Sequence, residues 1–283
     1  MSCRNVIISA VVFFGTLVRP QAQDNPQATS GSWRPTIVAQ HGMVAAGHPL
    51  AAEAGMRILK AGGNAVDAAI AAVASGIFEG SGQSCVAGSR LFVQRSVHDR
   101  VLDKLSSIAR ALRVDLPDAP GAQMGPIASF AQRTRIEQMV DAARTEGAKI
   151  VCGGARPSEP RLGKGAFYQP TIVSGIDNRA SIAQQEIFGP VLCVMSFDDE
   201  DDLVAQSNDS VYGLAAGIWT RDFPKAWRVA RRLEAGTVWI NTYKQLSIAT
   251  PFGGFKDSGV GREKGLTGMR LYQQAKSVYV GLD

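Results

Sequence analysis

SGQSCVAGSRLFV, residues 81–93, places one cysteine among small residues immediately before an apolar run. The run Arg90–Val93 has the composition of a strand, and Gly82 and Gly88 let the chain bend sharply and approach other backbone closely. A thiol in such a turn reacts if it is exposed and its thiolate is favoured; if it is sealed in an apolar pocket it is inert. The local residues leave both readings of Cys85 open, so the rest of the chain has to decide between them.

Outward from this stretch, strands and helices alternate. SRLFVQR (89–95) is a strand and VHDRVLDKLSSIARAL (97–112) a helix; a proline-rich loop leads to a long amphipathic helix in RTRIEQMVDAARTEG (133–147) and a strand at KIVCGG (149–154). Further strands are read at YQPTIVSG, GPVLCVMSF, LAAGIWT and GTVWIN, with helices near 200–208 and 222–234. Apolar strands alternating with helices predict an α/β fold: a mostly parallel sheet flanked by helices. In RDFPKAWRVARRLEAG, Arg221, Lys225, Arg228 and Arg232 share a helix face, read as solvated, opposite a packed face holding Phe223, Trp227 and Ala230.

Upstream, Asn64 and Asp67 open a helix whose Val66, Ile70, Val73 and Ile77 line one face as far as Phe78. Pro49, Leu50, Ala54, Ile58 and the stop at Gly62 predict an earlier helix over 49–61. Residues 24–36, DNPQATSGSWRPT, read as a linker. Residues 1–23 combine Arg4, an apolar stretch from Val6 to Val18 and a polar end, the pattern of a secretory signal, which implies export.

The 283 residues are 45% hydrophobic and 19% charged, enough for a sizeable core and unlike a disordered chain. A net charge of +5 is a mild excess of the kind that usually marks a solvated surface, so no nucleic-acid partner is expected. Four cysteines (3, 85, 152, 193) without a C-x-x-C pair, and three histidines without metal-ligand spacing, predict neither a metal site nor a disulfide framework. Cys152 and Cys193 sit in apolar runs and read as small core residues.

Four stretches beyond the ordinary carry a resemblance: GQSCVAGSRLFV, QQEIFGPVLCVMSF (184–197), GTVWINTY (236–243) and PFGGFKDSGVGREKG (251–265), with YGLAAGIWTRD (212–222) in the same order. Together they resemble the catalytic domain of the aldehyde dehydrogenase superfamily, from about residue 67 to the end, the domain itself being placed at 75–283. The resemblance implies oxidation of a small-molecule aldehyde to an acid with NAD or NADP as hydride acceptor. It implies that Cys85 is the attacking thiol, that Glu186 holds the nicotinamide ribose hydroxyls, that Phe188 flanks the nicotinamide and that Phe252 walls the substrate pocket. Glu263 matches a further motif glutamate, for which a purely structural role is at least as strong a reading as a functional one. Residues 276–283, KSVYVGLD, are expected to be a strand that joins a homo-oligomer.

The same family carries a glycine-containing cofactor turn and an E-L-G-G glutamate that acts as base, and neither pattern occurs in these 283 residues. PTIVAQHGMVAAGHPLAAEAGMRILKAGGNAVDAAIAAVA (35–74) instead resembles the start of mature gamma-glutamyltransferases, a helical segment assigned to 37–74, without the T-T-H context of their nucleophile. The two resemblances meet inside AVDAAIAAVA, so the chain reads as a chimera, weakly active or inactive alone. The alternative is a non-catalytic oligomerising module. The leader implies export, whereas the dehydrogenase resemblance implies the cytosol, where a catalytic thiol stays reduced.

Overall fold

The computed structural model describes residues 65–282 and the two-residue strand Ile8–Ser9. The predicted helix at 49–61, the linker and most of the leader-like segment lie outside the described residues. In chain order the elements begin with β1 (Ile8–Ser9), α1 (Ala65–Phe78), β2 (Arg90–Gln94), α2 (His98–Ala111), α3 (Phe130–Thr145) and β3 (Lys149–Cys152). Then come β4 (Thr171–Ser174), α4 (Ser181–Gln184), β5 (Val191–Phe197), α5 (Glu200–Asn208), β6 (Tyr212–Gly213) and β7 (Ala215–Ile218). The last are α6 (Phe223–Arg232), β8 (Thr237–Ile240), β9 (Phe255–Lys256) and α7 (Gly265–Arg270).

The main sheet has the order β1-β2-β5-β4-β3. Its centre is parallel, with β5 between β2 and β4, and an antiparallel strand closes each edge. A parallel pair, β7–β8, and an antiparallel pair, β6–β9, complete the strands. The fold is thus the expected α/β arrangement, mixed at its edges.

Residues of the central strands alternate between two cores. Leu91, Val93, Leu192, Val194 and Ile172 pack with Ile70, Val73, Ile77, Val101 and Leu105 of α1 and α2. Phe92, Val173, Val191, Cys193, Met195 and Phe197 pack on the other side with Ile136, Val140, Leu203 and Val229. Both faces of β5 are therefore covered, which is why VLCVMSF is apolar almost throughout instead of alternating with polar residues. Ser129 caps α3 by accepting from the Gln132 N–H, and Asp199 caps α5 by accepting from Asp201 and Asp202.

The basic face of α6 is a solvated, ion-paired surface as expected: Lys225 and Arg228 pair with Glu200, and Arg232 with Asp201. The opposite face differs from expectation. Ala226 and Val229 are buried, but Phe223 and Trp227 are 61% and 54% exposed and stack on each other with centroids 6.3 Å apart. The helix meets the core on a narrow stripe, so the two aromatics cover one another outside it. Residues 276–282, expected as a strand, form no strand among the described residues and are exposed.

Candidate functional site

Helix α1 ends in a kinked turn, Glu79–Gly82, in which Gly80 and Ser81 both take left-handed conformations. Ser81 then donates its hydroxyl to the Gly125 carbonyl at 2.9 Å, and the Gln83 side chain accepts from the Ala128 N–H at 2.8 Å. The segment is thereby tied to the loop ahead of α3. Gly82, at φ +68°, runs against the backbone on the far side: a Cβ there would lie 2.0 Å from the Gly189 carbonyl oxygen. A turn closed by the Ala87 N–H on the Ser84 carbonyl follows at once, with Cys85 and Val86 at its centre. Val86 and Ala87 point into the protein, while Cys85 is exposed.

Cys85 opens onto a cavity of about 350 Å³ whose wall includes Glu186, Arg90, Tyr243 and the strand residues Ala215–Gly217. The structure thus brings Cys85 and Glu186, 101 positions apart in the chain, to one cavity. Both precede parallel neighbours: Cys85 leads into β2 and Glu186 into β5, so their segments enter the sheet from the same end. The Glu186 carboxylate makes no hydrogen bond or ion pair among the described residues, while its backbone carbonyl accepts from Arg135 at 2.9 Å. Phe188 has φ +53° and is 37% exposed; the Gln132 amide holds it by donating to the Ile187 and Phe188 carbonyls at 2.9 and 3.1 Å. A left-handed phenylalanine held this way is a strained residue kept in place by its surroundings.

Phe188 and Phe252 are not on the cavity wall. Phe252 pairs with Glu263 by two backbone hydrogen bonds of 2.8 Å. The Lys264 ammonium lies 5.6 Å from the centre of the Phe252 ring.

The other described cysteines are of a different kind. Burial pushes the Cys193 thiol up to about 12, against which the nearby Arg90 has little effect, and burial also raises that of Cys152. Among the described residues no group of three or more histidine, cysteine and acidic side chains could hold a metal ion. No described helix is long and apolar enough to cross a membrane.

Tyr243 was not singled out by the sequence reading. Its ring packs against Trp219 and Trp239, with centroids 5.7 and 4.9 Å away. Burial foremost, and Cys85 as a charged neighbour, raise its hydroxyl well above the usual phenol range. Three glycines make room for it: added Cβ atoms at Gly76, Gly88 and Gly217 would lie 3.3, 2.9 and 2.6 Å from its atoms. The only signal in the sequence was the recurrence of glycine and alanine around GTVWINTY, which does not reveal what fills the space.

The model of the aldehyde dehydrogenase family matches residues 56–278, beginning inside the segment read as gamma-glutamyltransferase-like. Curated relatives include a betaine aldehyde dehydrogenase of Mesorhizobium japonicum, 43% identical over 76% of this chain and 44% of its own. Another, of Brucella melitensis, is 40% identical over the same shares. Similar solved structures include a Staphylococcus aureus betaine aldehyde dehydrogenase in complex with NAD+ (38% identity, TM-score 0.72), covering 73% of this chain and 41% of that one. A Bacillus cereus aldehyde dehydrogenase in an NAD+ complex is also similar (39% identity, TM-score 0.72), covering 76% and 43%. The chain spans less than half the length of the curated relatives it matches.

Proposed function

The chain belongs to the aldehyde dehydrogenase family, and on that premise we propose that Cys85 is the nucleophile of an aldehyde-oxidising site, with Glu186 at its cofactor end. The observation that carries this reading is the contrast among the thiols: Cys85 alone of the three described cysteines is exposed, and it shares its cavity with a carboxylate that has no hydrogen-bond or ion-pair partner among the described residues.

The chemistry follows from the turn. A Cys85 thiolate adds to the aldehyde carbonyl carbon; the C–S bond forms as the carbonyl π electrons move to oxygen, giving a thiohemiacetal alkoxide. The N–H groups of Cys85 and Val86, at the centre of the turn, have no acceptor among the described residues, which leaves them free to donate to that oxygen. A nicotinamide cofactor, when bound, supplies the hydride acceptor. Glu186 fits its ribose end, since a carboxylate with free lone pairs accepts from two sugar hydroxyls. Phe188 and Phe252 lie off the cavity wall and enter this reading through the family resemblance alone, as a flank to the ring and a wall of the aldehyde approach.

The fit is to that end alone. These 283 residues hold no G-x-G-x-x-G turn for a pyrophosphate and no E-L-G-G glutamate to activate the deacylating water. We therefore expect the chain by itself to add its thiol to an aldehyde and to be acylated by an activated ester, steps that need no hydride acceptor, with little turnover.

The test is labelling by iodoacetamide, mapped by mass spectrometry, with and without NAD+. Cys85 is expected to label at least tenfold faster than Cys152 or Cys193, with a rate altered by NAD+ in the parent and unaltered in Glu186→Gln. Equal labelling of the three cysteines would overturn the reading. An activated ester such as p-nitrophenyl acetate should give an acyl burst at Cys85 without sustained turnover.

A second reading, a non-catalytic oligomerising module, draws on the exposed C-terminal residues Val278, Tyr279, Val280 and Leu282, which are 73–95% accessible. It predicts concentration-dependent mass in light scattering, lost on removal of residues 276–283.

A further inference from the structure

A second cavity, of about 320 Å³, lies at the C-terminal end of α2 and shares no wall residue with the one that holds Cys85. Three arginines from two parts of the chain line it: Arg110 in the last turn of α2, Arg113 just after it, and Arg161 from the loop between β3 and β4. Guanidinium groups repel one another, so three lining one space are stable only with anions between them. The protein supplies one. Asp115, on the same wall and fully buried, accepts from Arg113 Nε and Nη2 at 3.1 and 2.9 Å. It also accepts from both terminal nitrogens of Arg161, with Nη2 at 2.9 Å, and from the Leu116 N–H at 2.7 Å. Its lone pairs are thereby spent, and two of the arginines are fixed by it. Arg110 is anchored separately, its Nη2 donating to the Val151 carbonyl at 2.7 Å.

These contacts do not use up the donors. Arg113 Nη1, Arg161 Nε and Arg110 Nε have no acceptor among the described residues. In charge, Asp115 balances one guanidinium and the carbonyl end of α2 carries about half a negative unit, so positive charge remains in excess. Glu159 is the other acidic wall residue; it is exposed, and its carboxylate makes no hydrogen bond or ion pair among the described residues. The wall also carries Leu112, Val114, Pro157 and Pro170, an apolar surface that a bare ion does not need. A cavity of this size falls at the lower end of the range for small-molecule sites.

We propose that this cavity binds a phosphate monoester: the N–H groups left over on Arg110, Arg113 and Arg161 hold the phosphate, and the organic part lies on Leu112, Val114, Pro157 and Pro170. Guanidinium forks match phosphate oxygens, and a phosphate monoester brings about −1.5 to −2 charges at pH 7, where a carboxylate brings one. The site is independent of the assignment of Cys85.

The proposal is tested by titration calorimetry of the full chain at low salt with phenyl phosphate, inorganic phosphate and benzoate. Phenyl phosphate is expected to bind, with inorganic phosphate several-fold weaker for want of the ring, and benzoate, which has the ring but a single charge, weaker by about tenfold or more. Arg110→Gln leaves every contact of Asp115 intact and should weaken phenyl phosphate about tenfold, the effect of one charged hydrogen bond. Glu159→Gln should tighten it. In the parent, binding should weaken as pH falls through about 6, where the phosphate takes up a proton. Should Arg110→Gln fail to fold, Glu159→Gln and this pH dependence carry the test.

No binding of phenyl phosphate at millimolar concentration, or an unchanged affinity in folded Arg110→Gln, overturns the site. Benzoate binding as tightly as phenyl phosphate overturns the phosphate assignment, and inorganic phosphate binding as tightly overturns the ester. Labelling of Cys85 is expected to be the same in the parent and Arg110→Gln, so failure here leaves the nucleophile assignment untouched.

Discussion

Gly80 and Gly82 offer a paired measurement of what holds the Cys85 turn in place. Both are left-handed, at φ +64° and +68°, so an alanine at either carries the same backbone penalty, about 1–2 kcal/mol. Their surroundings differ. An added Cβ at Gly80 meets nothing within 4 Å, whereas at Gly82 it falls 2.0 Å from the Gly189 carbonyl oxygen and 2.9 Å from the Pro190 nitrogen. These are backbone atoms at the entry to β5 and cannot swing aside, so relief requires the turn and the β5 entry to separate by more than 1 Å. Overpacking of this kind adds about 1–3 kcal/mol. Gly80→Ala should therefore lose about 1–2 kcal/mol and Gly82→Ala about 2–5 kcal/mol, measured by urea unfolding with unchanged m-values. Labelling of Cys85 should be preserved in the first and disturbed in the second. If Gly82→Ala proves no less stable than Gly80→Ala, the close approach of the turn to Gly189 does not bear on stability and the account of how Cys85 and Glu186 are brought together is wrong.

Burial of the Cys193 thiol makes stability depend on alkaline pH. The folded thiol keeps its proton to about 12 while the unfolded thiol loses it near 9, so this contribution is complete below pH 9 and is lost as pH rises from there toward 12. This group's share of the slope should be about 1.4 kcal/mol per pH unit in denaturation curves, and Cys193→Ala should reduce the slope by that share while lowering the plateau. Asp115 acts at the other limb. Its buried carboxylate accepts from Arg161, from the Leu116 N–H and from Arg113, and these hold it well below the usual carboxylate range. Asp115→Asn should be less stable than the parent at pH 7, with the difference closing as pH falls through about 4, where the unfolded carboxyl of the parent takes up its proton, and below. Trp227→Ala, which removes an exposed aromatic stacked only on Phe223, should change the unfolding midpoint little.

The α/β layering was legible because VLCVMSF and RLFVQ are apolar runs of strand length between amphipathic helices, and a two-sided core demands that pattern. The antiparallel edges were not legible: KIVC reads the same whether it runs with or against its neighbour. Phe223 and Trp227 misled because helical spacing identifies a face without saying how wide a stripe the neighbouring sheet will cover. At the site, Cys85 stood out through its small neighbours, and Glu186 only through the company of its motif. Tyr243 was hidden for a different reason. Its importance comes from close approaches to residues more than 150 positions earlier, Gly76 and Gly88, which no local pattern records.

The parallel pairing of β2 with β5, Arg90 opposite Cys193, works as a measuring rule for the site. Cys85 stands five residues before the start of β2, and Glu186 five before the start of β5. The gap between thiol and carboxylate is therefore fixed by two short counts of residues along the chain, and side-chain identity in between matters less. Substitutions within 86–89 or 187–190, Phe188 apart, leave that gap unchanged wherever glycine geometry is kept. A single insertion or deletion in either span would move one group along the sheet relative to the other and turn it toward the opposite face. Variation in this part of the protein is thus expected to alter letters and to leave their number alone.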